Sequence, residues 1–289
     1  MALFSEGGSR VGAAIPPSLE LAAPWIQWMA RLGYLARGVV YVVVGGLAFQ
    51  AAVSSVRLPE DSSGALQTIL HQPLGRVLVG LVAVGLIGWV LWRLVQAFLD
   101  PEGKGTRAKG LARRAGYLTS AFLHSGLALE AVRLARGSSG EQSGTGDATA
   151  DHWTAVAMSQ PAGRWIIAAV GVGTILFAFS QFYRAYSASF RKKLDLSRLG
   201  PDAEKRVVLV GRLGLAARGV VFGIIGWFLV RAALEYDPEE ARGFETALQT
   251  IQEQGYGQYL LAAVGVGLVA YGIFELAEAR YRVIRTPRL

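Results

Sequence analysis

The chain has 289 residues, of which 52% are hydrophobic and only 17% charged, with a formal net charge of +8. A soluble domain carries about 25% charged residues. Here the charges are clustered between apolar stretches of about 20 residues, a length that crosses a bilayer core of about 30 Å. This composition excludes a water-soluble domain. The absence of cysteine excludes disulfides, thiolate metal sites and cysteine catalysis.

The apolar stretches predict six membrane-spanning helices, because backbone polar groups in lipid must pair within their own segment. The third stretch is the least apolar, since it contains Ser120, His124, Ser125 and Glu130. Residues 1–24 lack a basic start that leads into an apolar run, so they predict a flexible tail and no cleavable signal peptide. The predicted spans are 32–53, 74–98, 115–135, 163–187, 207–234 and 257–279.

The distribution of Lys and Arg predicts the orientation of these spans. One side of the predicted topology carries 21 of the 29 basic residues and the other side carries 7. Basic loops face the cytoplasm, so both termini are expected there. The basic loops around 104–114 and 191–206 are expected to attract anionic lipid or an acidic protein partner. No aromatic-interleaved basic face accompanies the charge, and a nucleic-acid partner is not expected.

Internal repetition is the strongest signal in the sequence. Residues 31–45 and 212–226 are identical at 9 of 15 positions, and ALQTI occurs twice. A middle copy shares QPxGR with the first copy and AAVGVG with the third. We therefore predict an all-α membrane protein built as three parallel two-helix repeats with approximate threefold pseudosymmetry. The predicted units are the cytoplasmic tail 1–30 and the repeats 31–113, 114–206 and 207–289.

These repeat motifs resemble those of the bacterial membrane family called domain of unknown function 1206. The resemblance rests on RLGxxARGVV, ALQTI, QPxGR and a glycine-rich second helix, and it extends from about Arg31 to Arg282. It implies tandem two-helix membrane units in a bacterial plasma membrane, and it implies no activity. The middle repeat departs from the pattern, with Thr119-Ser120-Ala121 where the other copies have Ala-Arg-Gly.

Polar residues within the predicted spans are the candidate functional residues, because such groups are costly in lipid. Aligning the repeats places Arg37, Ser120 and Arg218 at one equivalent position. The same alignment places Arg93, Gln181 and Glu275 at another. Counted along the helices, both positions fall in one layer near the cytoplasmic end.

Two interpretations of this layer remain open. In the first, it holds interhelical locks: Arg218 pairs with Glu275, and the other arginines reach the lipid headgroups. In the second, it binds an anion, because Arg37 and Arg93 of repeat 1 have no obvious acidic partner.

His124 aligns with Tyr41 and Phe222, which predicts a packed aromatic layer near the bilayer midplane. A proton-relay role for His124 is a further possibility. Haem ligation by two histidines is disfavoured, because the other two histidines lie outside the predicted spans. No cofactor and no metal ion are therefore expected.

The sequence carries no recognisable catalytic motif, which disfavours an enzyme. The leading interpretation is a non-enzymatic membrane protein that binds a partner protein, lipid or small hydrophobic ligand. The alternative is a transporter or channel for a small solute or anion that uses the arginine layer. Three parallel two-helix repeats are also the plan of mitochondrial carriers, but the signature of that family, Pro-x-(Asp or Glu)-x-x-(Lys or Arg), is missing.

Overall fold

The computed structural model is helical almost throughout, and it describes residues 17–54, 62–101, 105–137, 154–159, 162–197, 199–235, 237 and 244–284. A short 3-10 turn covers Ser189–Lys193, and an isolated bridge joins Leu194 to Arg282. Helical residues also occur at 154–158. The helices are α1 Pro17–Ser54, α2 Ser62–Leu70, α3 Gly75–Phe98, α4 Ala108–Ala135, α5 Gly163–Ser187, α6 Pro201–Glu235, α7 Phe244–Gln252 and α8 Gly257–Tyr281.

Five of these helices are long and apolar enough to cross a membrane: α1 (over Gln27–Val53), α3, α5, α6 and α8. This confirms an all-helical protein of the membrane type. The remaining long helix, α4, has 28 residues but falls below the others in apolar character. Its sequence explains why, since His124 and Glu130 interrupt the apolar run.

The first helix begins within the segment 1–30 that the sequence predicts as a tail. Its first residue is Pro17. Proline is tolerated in the first turn of a helix, and the following residues include the good helix formers Leu, Glu and Ala. Residues 1–16 lie outside the described residues.

The long helices pack in the spatial order α4, α3, α1, α8, α6, α5. The most extensive contact joins α1 to α8, the first helix to the last. There Gly45 and Gly265 bring the two backbones so close that a side chain on either would meet the other helix. At the two ends of the order, α4 and α5 share no comparable contact within the described ranges.

One arginine at the start of each predicted repeat caps the end of a neighbouring helix. Arg31 of α1 donates to the carbonyl oxygens of Ala279 and Arg280 at the end of α8, at 2.6 and 2.9 Å. The equivalent arginine of α4, Arg114, donates to the carbonyls of Ala97 and Phe98. These bonds satisfy carbonyls that the helix itself leaves unpaired and place a positive charge at the negative end of the helix dipole.

The third cap follows the same rule. Arg212 of α6 donates to the carbonyl oxygen of Tyr186 at the end of α5, at 3.2 Å. The three caps lie at one end of the bundle, which is called here the basic end.

The glycine of the QPxGR motif lies in a tight turn that opens the second spanning helix of its repeat. Gly163 opens α5, and a β-carbon on it would overlap the carbonyl oxygen of Ala157. Gly75 and Gly257, which open α3 and α8, face the carbonyls of Leu70 and Gln252 in the same way. The turn therefore requires glycine at each start.

Replacing Gly163 with alanine is expected to lower stability by about 1–3 kcal/mol, the cost of forcing a methyl group into a filled space. The matched control is Gly173→Ala in the same helix, where a β-carbon would meet nothing within 4 Å. This control should leave stability unchanged or raise it by up to about 1 kcal/mol, because alanine favours helix. Thermal unfolding in detergent measures both. Equal midpoints for the two variants would contradict the turn explanation.

Candidate functional site: a buried arginine–aromatic cluster

A buried ion pair joins the first and last membrane helices. The guanidinium of Arg37 in α1 lies 3.1 Å from the carboxylate of Glu275 in α8, and their side chains are 4% and 1% exposed. The hydroxyl of Tyr271 donates to Glu275. The same hydroxyl accepts hydrogen bonds from Arg37 at 2.9 Å and from Arg218 at 2.8 Å. A single tyrosine oxygen therefore connects two arginines to one carboxylate.

The predicted lock between Arg218 and Glu275 is thus wrong in its partner, because the ion pair is made by Arg37. The prediction that Arg37 lacks an acidic partner is wrong for the same reason. Arg37 and Glu275 lie on α1 and α8, which share the closest helix contact. Arg218 reaches the carboxylate only through the Tyr271 hydroxyl.

Trp89 also belongs to the arginine–aromatic cluster, because it contacts two of its arginines. The guanidinium carbons of Arg37 and Arg93 both lie 4.1 Å from the centroid of the Trp89 ring. A cation over a tryptophan face is attracted by the ring electrons. Arg93 also donates to the amide oxygen of Gln96 at 2.9 Å. The ring of Tyr34 packs edge-on against Trp89, at 4.9 Å between centroids.

Arg218 lies in a similar aromatic setting on the other side of Tyr271. Its guanidinium carbon is 5.0 Å from the ring centroids of Tyr271 and Phe222, and 5.3 Å from that of Phe177. Aromatic faces stabilise a guanidinium without neutralising its charge.

The cluster holds more positive than negative charge. Arg37, Arg93 and Arg218 contribute three cations, and Glu275 contributes one anion. Arg37 is close enough to Arg93 and Arg218 for its charge to act on both. The buried Nε atoms of the three arginines and Oε2 of Glu275 have no hydrogen-bond partner among the described residues. The nearby pair of Glu278 and Arg282 is neutral overall.

Three rings align between the repeats: Tyr41, His124 and Phe222. Each packs on a ring of the second spanning helix of a neighbouring repeat. Tyr41 packs on Tyr271 at 4.7 Å, Phe222 on Phe177 at 5.2 Å, and His124 on Trp89 at 6.0 Å. The partner rings are themselves equivalent in the repeat alignment, each lying 4 residues before Glu275, Gln181 or Arg93. A search one helical turn before each aligned polar residue would have found them, because side chains at i and i+4 share a helix face.

Gln181, Ser120 and His124 make their own local bonds. The side chain of Gln181 is fully buried and accepts a hydrogen bond from Arg184 of the same helix at 3.1 Å. The backbone carbonyl of Ser120 accepts from Nδ1 of His124 at 2.8 Å. His124 reaches the cluster through its ring contact with Trp89, and Ser120 supplies no charge where the other repeats have arginine. Among the described residues, no three His, Cys, Asp or Glu side chains are grouped as metal ligands.

Comparison with known proteins identifies the family. The chain matches Domain of Unknown Function (DUF1206) in three segments, residues 32–100, 115–188 and 213–282. The chain belongs to this family. The three matched segments confirm three tandem repeats, one in each predicted unit, whereas the exact unit boundaries stay predictions.

One relative of this DUF1206 protein is "Uncharacterized protein YxxB" of Bacillus subtilis (strain 168). The two chains are 37% identical over 259 residues, which cover 90% of this chain and 92% of the relative. The similarity therefore extends over nearly all of both chains, and the relative is bacterial. No solved structure matches the chain.

Glu275→Gln is expected to destabilise this DUF1206 protein, because Arg37 and Arg218 would lose the only carboxylate of the cluster. Breaking a buried pair by removing one partner costs about 3–5 kcal/mol of folding free energy. Because the amide that replaces the carboxylate of Glu275 can still form hydrogen bonds, the expected loss is about 3 kcal/mol or less. Glu235→Gln is the control, since Glu235 is 46% exposed in its pair with Arg231. Unfolding midpoints in detergent measure both variants.

A double-mutant cycle tests the partner assignment. Arg37→Gln combined with Glu275→Gln should cost less than the sum of the single changes, because each single change leaves a buried charge unpaired. Arg93→Gln combined with Glu275→Gln should be additive or nearly so. The reverse pattern would refute the assignment of Arg37 as the partner.

Proposed function

We propose that this protein is a non-enzymatic integral membrane protein that binds an anionic ligand in the arginine–aromatic cluster. The observation that carries the proposal is the excess of charge at the site: it holds three guanidiniums but only the carboxylate of Glu275, which is paired with Arg37. A charged side chain in the bilayer costs about 3 kcal/mol on insertion scales. A bound anion would offset this cost by pairing with the excess charge.

The architecture proposed with this function is a bundle of six spanning helices in three repeats around a pseudo-threefold axis. Repeated contacts support it: the caps by Arg31, Arg114 and Arg212 occur at equivalent positions of α1, α4 and α6. The ring pairs described above recur at the same three helix interfaces. On this basis α4 also spans the membrane and completes the six, and two of its polar residues, His124 and Arg114, contact α3.

The proposed setting is the bacterial plasma membrane, with both termini in the cytoplasm. The excess of Lys and Arg at the basic end supports this orientation. Exposed basic residues there, such as Arg107 and Lys192, are suited to anionic headgroups. The same surface is suited to an acidic protein partner.

Transport of a small solute or anion is the less favoured alternative. A transport path needs polar groups through the full depth of the bundle, whereas the described interior beyond the arginine layer is apolar. Val44, Val82, Val264 and Leu268 are buried there in one continuous cluster. This packing favours a binding site at one depth over a path across the membrane.

Binding at the cluster predicts that anions stabilise the wild-type protein and not a charge-depleted variant. Inorganic phosphate, palmitate and phosphatidylglycerol serve as probes, and the unfolding midpoint is the readout. Arg93→Gln with Arg218→Gln should abolish the shift, because it removes two of the three cations. Arg164→Gln is the control for loss of an arginine outside the cluster, since Arg164 lies at the start of α5 beside the exposed Trp165. If no probe shifts the wild type more than the double variant, the proposed function is wrong.

A further inference from the structure

The bundle is open between α4 and α5. Every other neighbouring pair in the order α4, α3, α1, α8, α6, α5 packs along its length, whereas α4 and α5 share no such contact within the described ranges. In repeats 1 and 3 the two spans of one repeat pack together, as α1 with α3 and α6 with α8. Repeat 2 therefore has a seam where the other two repeats have a helix interface.

The arginine cluster lies at one end of this seam. Arg93 is next to α4, with its guanidinium carbon 5.3 Å from the ring centroid of Tyr117. Arg218 is next to α5, at 5.3 Å from the Phe177 ring. Both arginines are partly exposed, whereas Arg37 is only 3% exposed. The two accessible cations are thus the two that flank the seam.

These two arginines retain donors for a ligand. The Nε atoms of Arg93 and Arg218 are buried and have no hydrogen-bond partner among the described residues. Glu275 is already engaged by Arg37 and Tyr271, so it does not neutralise Arg93. A planar guanidinium is well suited to a phosphate or carboxylate, because its donors match the spacing of the two oxygens.

An apolar stripe on α5 leads away from the cations. Starting at Phe177, it continues through Gly173, Val170 and Ile166 at helical spacing, and Phe177, Val170 and Ile166 are 37%, 51% and 55% exposed. Gly173 has open space where a β-carbon would lie. The stripe is about 16 Å long at 1.5 Å per residue, which is comparable to an acyl chain.

We infer that the ligand is an anionic amphiphile that enters from the bilayer through the seam between α4 and α5. Its headgroup, a phosphate or carboxylate, binds Arg93 and Arg218, and its chain lies along the Phe177–Ile166 stripe. This inference rests on the proposed function, because it names the ligand class and the route for the same arginine site. A soluble anion such as inorganic phosphate shares the headgroup chemistry, and it is the rival that the experiment must separate.

Native mass spectrometry of the full chain, with equal amounts of phosphatidylglycerol and phosphatidylcholine added, is the first test. We expect wild-type protein to retain phosphatidylglycerol in preference to phosphatidylcholine by about tenfold. Arg93→Gln with Arg218→Gln should remove this preference, and Arg164→Gln should keep it. Equal retention of the two lipids by the wild type overturns the inference without any variant being needed.

Blocking the seam separates the lipid from the soluble anion. Gly173→Trp fills the open space beside Phe177, and it should lower phosphatidylglycerol retention while the midpoint shift with inorganic phosphate persists. Phe179→Trp is the control, because Phe179 points about a third of a turn away from Gly173 around α5 and is 64% exposed. Unfolding midpoints without ligand identify any variant that fails to fold, and the wild-type lipid preference decides the matter in that case.

The outcomes distinguish the two proposals. If phosphate stabilises the protein through Arg93 and Arg218 but Gly173→Trp retains phosphatidylglycerol like wild type, the lateral route is wrong and the anion site stands. If neither the lipid nor phosphate depends on the two arginines, both proposals fail together.

Discussion

The ion pair between Arg37 and Glu275 is the constraint on which the rest of the bundle depends. It joins the first membrane helix to the last, and it lies where almost no solvent reaches either side chain. Removing two charges from water is costly, and their mutual attraction offsets that cost only when further hydrogen bonds satisfy both groups. The Tyr271 hydroxyl supplies one hydrogen bond to each group, and the Trp89 ring adds a cation–π contact to Arg37. The aromatic residues around the pair are therefore required by the charges, and the charges fix how repeat 3 closes onto repeat 1.

Repeat 2 shows what happens when this requirement is relaxed. Ser120 stands at the position of Arg37 and Arg218, and α4 lies against α3 while making no extended contact with α5. The cluster nevertheless contains a third cation, because Arg93 of α3 places its guanidinium over Trp89. Arg93 belongs to the other aligned position, which holds Gln181 in repeat 2 and Glu275 in repeat 3. With Arg93 in place of an arginine at Ser120, the cluster still has three cations, and the side of the site between α4 and α5 is accessible.

The sequence predicts the helices and their repeats well, and the side-chain partners less well. Long apolar runs determine a helix from local information alone, so α3 and α5 begin and end within a residue of the predicted spans. Alignment of the repeats groups Arg37, Arg93, Arg218 and Glu275 in one layer, and the structure places these four side chains near Tyr271 and Trp89. It did not reveal which helices are neighbours, because the interfaces between repeats are here more extensive than those within a repeat. The sequence predicts that Glu275 pairs with Arg218 of its own repeat, whereas in the fold it pairs with Arg37 of repeat 1.

The ion pair between helices and the proposed anion site use different arginines. Arg37 is buried, bonded to Tyr271 and paired with Glu275, so its charge is used in joining α1 to α8. Arg93 and Arg218 hold their positions through neutral partners, an amide and aromatic rings, which orient a guanidinium without cancelling its charge. These two cations add no ion pair to a purely structural lock, whereas each adds a desolvation cost and repels Arg37. Their position beside the open interface between α4 and α5, as the described residues show it, is the reason to expect a negatively charged ligand there.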